Sequence, residues 1–133
     1  MVSIGDVLLG EFFPQDGITP QNGEPSRKKM LIALGKDADG NYICGVVINS
    51  EIKSRNPESQ YPLHSHSHTF LKHNSFVNCD NLLCILNSRA STFEKIGNIV
   101  IEDLELIRKT VVASKVVKGK LKKRYNLFAA YEP

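Results

Sequence analysis

Residues Met30–Ile48, MLIALGKDADGNYICGVVI, set two dense apolar runs on either side of a polar segment. The runs, Met30–Leu34 and Tyr42–Ile48, are short and bounded by turn residues, which reads as two β-strands. The Asp39-Gly40 pair between them is a turn signal, so the two runs form a hairpin with a longer loop. Upstream, Val7–Phe13 (VLLGEFF) is a further strand, and Gly10 inside it suggests a bulge or a barrel corner. Residues 17–26, rich in Gly, Pro and Asn, form a loop. Downstream, Ser75–Asn78 and Leu82–Leu86 read as two more short strands. The period then changes. Ile101, Leu104, Ile107 and Val111 recur at three- and four-residue steps, predicting a helix from about Ile101 to Ser114. Acidic residues open that helix and basic residues close it, as the helix dipole favours. Five strands and one helix predict a strongly bent sheet or barrel with a covering helix.

The 133 residues suit one domain, and 41% apolar with 23% charged residues is ordinary for a globular chain. No run approaches the length of a membrane span and the first residues carry no signal-peptide pattern, so the expectation is a cytoplasmic protein with no membrane contact. Cys44, Cys79 and Cys84 are odd in number and lack a CxxC spacing. That argues against a disulfide framework or zinc knuckle, and for small apolar residues in the core.

The formal net charge of +3 conceals an asymmetry. Residues 1–107 carry nine Lys/Arg against thirteen Asp/Glu, a net of −4; residues 108–133 carry eight against one, a net of +7. A basic end of this kind is either a polyanion contact or a solvated tail. Residues 51–69 have no sustained apolar face and read as a long loop with room for an edge strand. It contains His64, His66 and His68 at every second position. On a strand these would share a face, about 6.6 Å between neighbours, so a straight strand cannot bring all three to one ion. The alternatives are acid/base or phosphate-contact work near neutral pH, a metal site completed from elsewhere, or a solvated loop.

Several stretches occur in a familiar order: GDVLLGEFF (5–13), KKMLIAL (28–34), VVINSEI (46–52), FLKHNSFVNCDNLLCI (70–85) and KIGNIVIEDLELI (95–107). Together they resemble MazF/PemK-like proteins, toxins of type II toxin–antitoxin systems with relatives in the CcdB fold group. The resemblance spans about residues 3–113. It implies a mainly β fold: a small SH3-like barrel of about five to seven strands with a C-terminal α-helix, over residues 1–114, followed by a basic extension, residues 115–133. It further implies a homodimer, a cognate antitoxin, and RNA cleavage without metal or other cofactor. In that reaction the 2′-OH attacks the neighbouring phosphate, leaving a cyclic phosphate. Such chemistry needs a base, an acid and donors to the charged phosphorane.

The implied roles carry over unevenly. Asn78-Cys79-Asp80 resembles an Arg-Cys-Asp run of the PemK branch. Asp80 keeps the carboxylate as base or acid, but Asn78 lacks the charge and fork of the arginine. Ile48-Asn49-Ser50 resembles Ile-Thr-Ser, with Ser50 keeping its hydroxyl and Asn49 offering an amide. Lys28-Lys29 stands at the usual Arg-Pro, and Glu11 and Asp16 fall where acidic residues are common. Val100 stands where a helix-capping Ser or Thr is usual. Arg27, Lys28, His64, His66, His68 and His73 are the cations that could replace the missing arginine or contact RNA. Two readings follow: an endoribonuclease with a rearranged site, or a non-catalytic SH3-like module binding a protein or nucleic acid. A metalloprotein built on the histidine loop is a third.

Overall fold

A computed structural model describes residues 1–52 and 56–131. Residues 53–55 of the long loop and the last two residues of the basic tail lie outside them.

The chain is mainly β. Its strands are β1 (Asp6–Phe12), β2 (Arg27–Lys36), β3 (Tyr42–Asn49), β4 (Gln60–Leu63), β5 (Ser75–Asn78), β6 (Leu83–Leu86) and β7 (Glu94–Asn98). All pairings are antiparallel, and the seven-stranded sheet runs β4-β5-β3-β2-β1-β7, with β6 also paired to β3. This ladder is open, ending on β4 and β7, where the resemblance implies a barrel. The helices are α1 (Asn87–Ala90), α2 (Ile101–Ala113) and α3 (Gly119–Arg124). No helix of the described residues is long and apolar enough to cross a membrane.

The β2–β3 hairpin is buried on both faces, which explains its continuous apolar runs. Alternate side chains part into two cores. Ile32, Leu34, Cys44, Val46 and Ile48 join Leu104, Ile107 and Val111 of α2. Leu31, Ala33, Ile43 and Val47 join Leu8, Phe12, Leu83 and Ile85 on the other side. Gly10 does not make the expected bulge. The irregularity in β1 lies between Val7 and Leu8, and Gly10 instead clears space for the Phe93 ring.

β5 and β6 follow the same edge of β3, with Val77 opposite Ile48 and Leu83 opposite Gly45. Between these pairings residues 79–82 swing out of the ladder, a large bulge of the kind that re-aims side chains.

α2 begins at Val100 without a side-chain cap of its own. His68, 2% exposed, serves that end instead. Its Nδ1–H donates to the His64 carbonyl, leaving Nε2 to accept from Val100 N–H at 3.4 Å. At the other end, buried Lys122 donates to the carbonyls of Val112 and Ser114 at 2.7 Å each. That supplies a cation to the negative helix terminus. The basic tail is thus docked, with Val117, Tyr125 and Leu127 in the same core as α2.

Gly45 of β3 pairs with Ala33 of β2 and leaves no room for a side chain. A Cβ there would fall 2.5 Å from the Ile32 carbonyl oxygen and under 3 Å from Leu31. Because a backbone oxygen cannot step aside, Gly45→Ala should lower unfolding free energy by about 1–3 kcal/mol, measurable by urea denaturation; an unchanged midpoint would contradict this packing.

Candidate functional site: two separate clefts

Of the residues singled out by sequence, Asp80 lines one cleft and Lys28 and His73 line another, and the two clefts have no lining residue in common. The first, of about 380 Å³, lies against the C-terminal end of α2 and holds Asp80, Asn56, Glu58, Ser59, Thr110, Ser114 and Lys115 on its walls. The β5–β6 bulge aims Asp80 into it. Ser114 Oγ donates to Asp80 Oδ1 at 2.5 Å and Asn56 Nδ2 donates to Oδ2 at 2.9 Å. Ser114 Oγ in turn accepts from the N–H groups of Val116 and Val117 at 3.1 and 3.3 Å. Asn78, beneath, accepts at Oδ1 from Gln60 Nε2 at 3.0 Å and from Asp80 N–H at 3.2 Å. Burial disfavours the charged carboxylate. The hydrogen bonds from Ser114, Asn56 and Ser59 outweigh it and hold Asp80 below its ordinary value. The arrangement is a clamp joining the bulge, the turn before β4 and the end of α2. A carboxylate so well supplied with donors is a weak proton acceptor.

The second cleft, of about 360 Å³, runs across the sheet from Ile96 of β7 through Leu9 and Met30 to Ile48, and is roofed by residues 70–75. Its floor is apolar, its walls carry Lys28, Lys29, Lys72 and His73, and no Asp or Glu is among its described lining residues. Alternation along β2 puts Lys28 on the Met30 face, where it reaches solvent, and Lys29 on the Leu31 face, where it is only 8% exposed, so Lys29 borders the cleft without its side chain crossing it. Lys29 Nζ donates to Asn49 Oδ1, which fixes the ammonium at the end of β3. Glu11, the cross-strand partner of Lys28, accepts from Ser26 Oγ at 3.2 Å. His73 Nδ1–H donates to the Asn74 carbonyl at 3.0 Å. Half-buried Phe70 lies over Gly97, whose missing Cβ leaves room for the ring, and 5.6 Å from the His68 ring.

The remaining residues stand elsewhere. His64 and His66 are stacked with ring centroids 5.3 Å apart on a turn beyond β4, not on a strand. His68 is packed at the start of α2, so the three histidines do not act as a row. Arg27 lies opposite Phe12, and Ser50 is exposed beyond β3; neither lines the two clefts. Among the described residues no group of three or more His, Cys, Asp or Glu is placed to hold a metal ion. Cys79 is core, its thiol pushed up to about 12 by burial, while Cys84 is exposed. Asp16 and Glu11 lie near Arg89, which binds Asp16 through two contacts of 2.6 and 2.8 Å and the Glu11 carbonyl at 3.0 Å. The Arg89 hydrogen bond is the main reason the Asp16 carboxyl lies below its ordinary value. Arg89 is therefore occupied as a brace and does not stand in for the missing arginine. Lys72 and Phe70 are the residues that sequence reasoning passed over, although both lie in the FLKH run.

No protein-family model matches the chain, and no curated protein matches it. The likeness to MazF/PemK proteins therefore rests on the residues quoted above.

The lowered Asp80 value fixes the sign of its pH effect. The carboxylate stabilises the fold above its unfolded value, near 3.8, and that contribution is lost as pH falls through the lower folded value. Asp80→Asn should cost about 1–2 kcal/mol near pH 7, with the gap to wild type closing below about pH 4. Thermal unfolding of both proteins across pH 2–7 checks this; a gap constant with pH would contradict it.

Proposed function

We propose that this protein is a PemK/MazF-like, toxin-type RNA-binding protein, holding single-stranded RNA in the Lys28–Lys72–His73 groove. The observation that carries the reading is the pairing of Lys28, Lys72 and His73 with an apolar floor and a half-buried aromatic ring, with no carboxylate among the described lining residues. Single-stranded nucleic acid is bound by this combination: cations follow the phosphates and bases stack on an aromatic face. The resemblance adds a homodimer and a cognate antitoxin to the proposal, which carries with it the cytoplasmic location expected from the sequence.

Binding is favoured over cleavage by the position of Asp80. The implied cleavage chemistry needs a carboxylate and a cation around one phosphate. Here the Asp80 carboxylate is taken up by Ser114 and Asn56, and although Lys115 shares its cleft, Lys28, Lys72 and His73 line another. The protein acts as a binding module on this reading, and its RNA is released intact.

Fluorescence anisotropy with a labelled single-stranded RNA of mixed sequence tests the proposal. Lys28→Ala and Lys72→Ala should each weaken binding and flatten the log Kd against log salt slope by about 0.7. Phe70→Ala should cost about 1–3 kcal/mol, and Lys123→Ala, on α3, should leave affinity unchanged. Absence of binding, or loss confined to the α3 variant, would contradict the groove. RNA cleavage abolished by Asp80→Asn would favour the endoribonuclease instead.

A further inference from the structure

Arg108 projects from α2 and is 6% exposed. No carboxylate among the described residues lies within ion-pair distance of it. Its guanidinium is held by backbone carbonyls alone: Nη1 donates to Leu34, and Nη2 donates to Asn126 and Ala129 at 3.1 and 3.2 Å. The Tyr131 ring lies 5.8 Å away. Carbonyls satisfy donors but carry no counter-charge, so a desolvated positive charge remains. Burial accordingly draws the Arg108 guanidinium below its ordinary value.

A cavity of about 340 Å³ opens beside this residue, between α2 and residues 127–131. Val112, Ala113, Leu127, Phe128, Ala130 and Tyr131 make its wall largely apolar. Lys109 adds a second cation at the cavity, and Glu105, one helical turn before it on α2, is its acidic residue. A second cavity of about 740 Å³ also borders Arg108 and is lined by Lys36, with no acidic residue among its described lining. The smaller cavity falls within the range of small-molecule sites, about 300–1,000 Å³, which pair apolar walls with a few placed polar groups.

The geometry points to a binding site for a small amphipathic monocarboxylate, its apolar body between α2 and residues 127–131 and its carboxylate supplying the charge that Arg108 lacks. The site is independent of the RNA groove. A neutral ligand would leave the guanidinium uncompensated, and a cationic one would be repelled by Arg108 and Lys109.

Isothermal titration calorimetry of the full chain with octanoate, octan-1-ol and octylammonium tests this at pH 7. Octanoate should bind with one saturable site, at least tenfold tighter than either analogue. Ala113→Phe places a ring at the cavity rim from an exposed position, and should weaken octanoate at least tenfold while retaining the wild-type circular dichroism spectrum. Arg108→Lys, if folded, should weaken it similarly and leave octan-1-ol unchanged. Equal binding of the three compounds, octanoate affinity indifferent to Ala113→Phe, or non-saturable uptake would overturn the proposal.

Discussion

The double burial of the β2–β3 hairpin is the constraint on which the rest depends. One face of its pleat packs against α2, the other against β1 and β6. Because side chains alternate strictly, a one-residue slip would exchange the two cores entirely. The register is therefore held, and with it the positions at the ends of the hairpin. Lys28 and Lys29 lie where β2 leaves the doubly buried region, and Asn49 lies where β3 does. The cationic groove is a consequence of where the core stops. Gly45 serves the same constraint, since it is what lets the strands approach.

The bulge between β5 and β6 solves a second problem. β3 must be paired along most of its length, yet the chain must also reach the C-terminal end of α2. Breaking the ladder at residues 79–82 sends Asp80 outward to Ser114 and Asn56, while Cys79 stays in the core. Lys122 closes the same helix end from the opposite direction. The helix is thus held at both ends by side chains distant in sequence, with His68 at the start. Its own sequence does not supply these restraints.

Much of the β framework was legible because apolar runs bounded by Gly, Pro and Asn leave a local mark. The second hairpin strand, the two short strands and α2 lie within a residue of their predicted bounds, while β2 begins three residues before the predicted Met30. The long loop does contain an edge strand, β4. β7 was missed because EKIGN is polar and mostly at the surface, so it carries no apolar alternation. α3 was missed because Gly119 argues against helix, whereas here it only opens one. The site was harder to read. HSHSH presents three identical side chains, and nothing local says that the third is buried at a helix start thirty residues downstream. Asp80 was found by resemblance, but its clamp depends on Ser114 and Asn56, neither adjacent in sequence. Lys72 and Phe70 join Lys28 only through the roof that residues 70–75 place over the sheet.

The central claim is that the groove, and not the Asp80 cleft, meets RNA. Backbone amide NMR during titration with single-stranded RNA tests it most directly. The account predicts shifts concentrated at Leu9, Lys28–Met30 and Phe70–Ser75, with Ser59, Asp80 and Ser114 unmoved. Shifts centred on Asp80 and Ser114, with the groove silent, would contradict it.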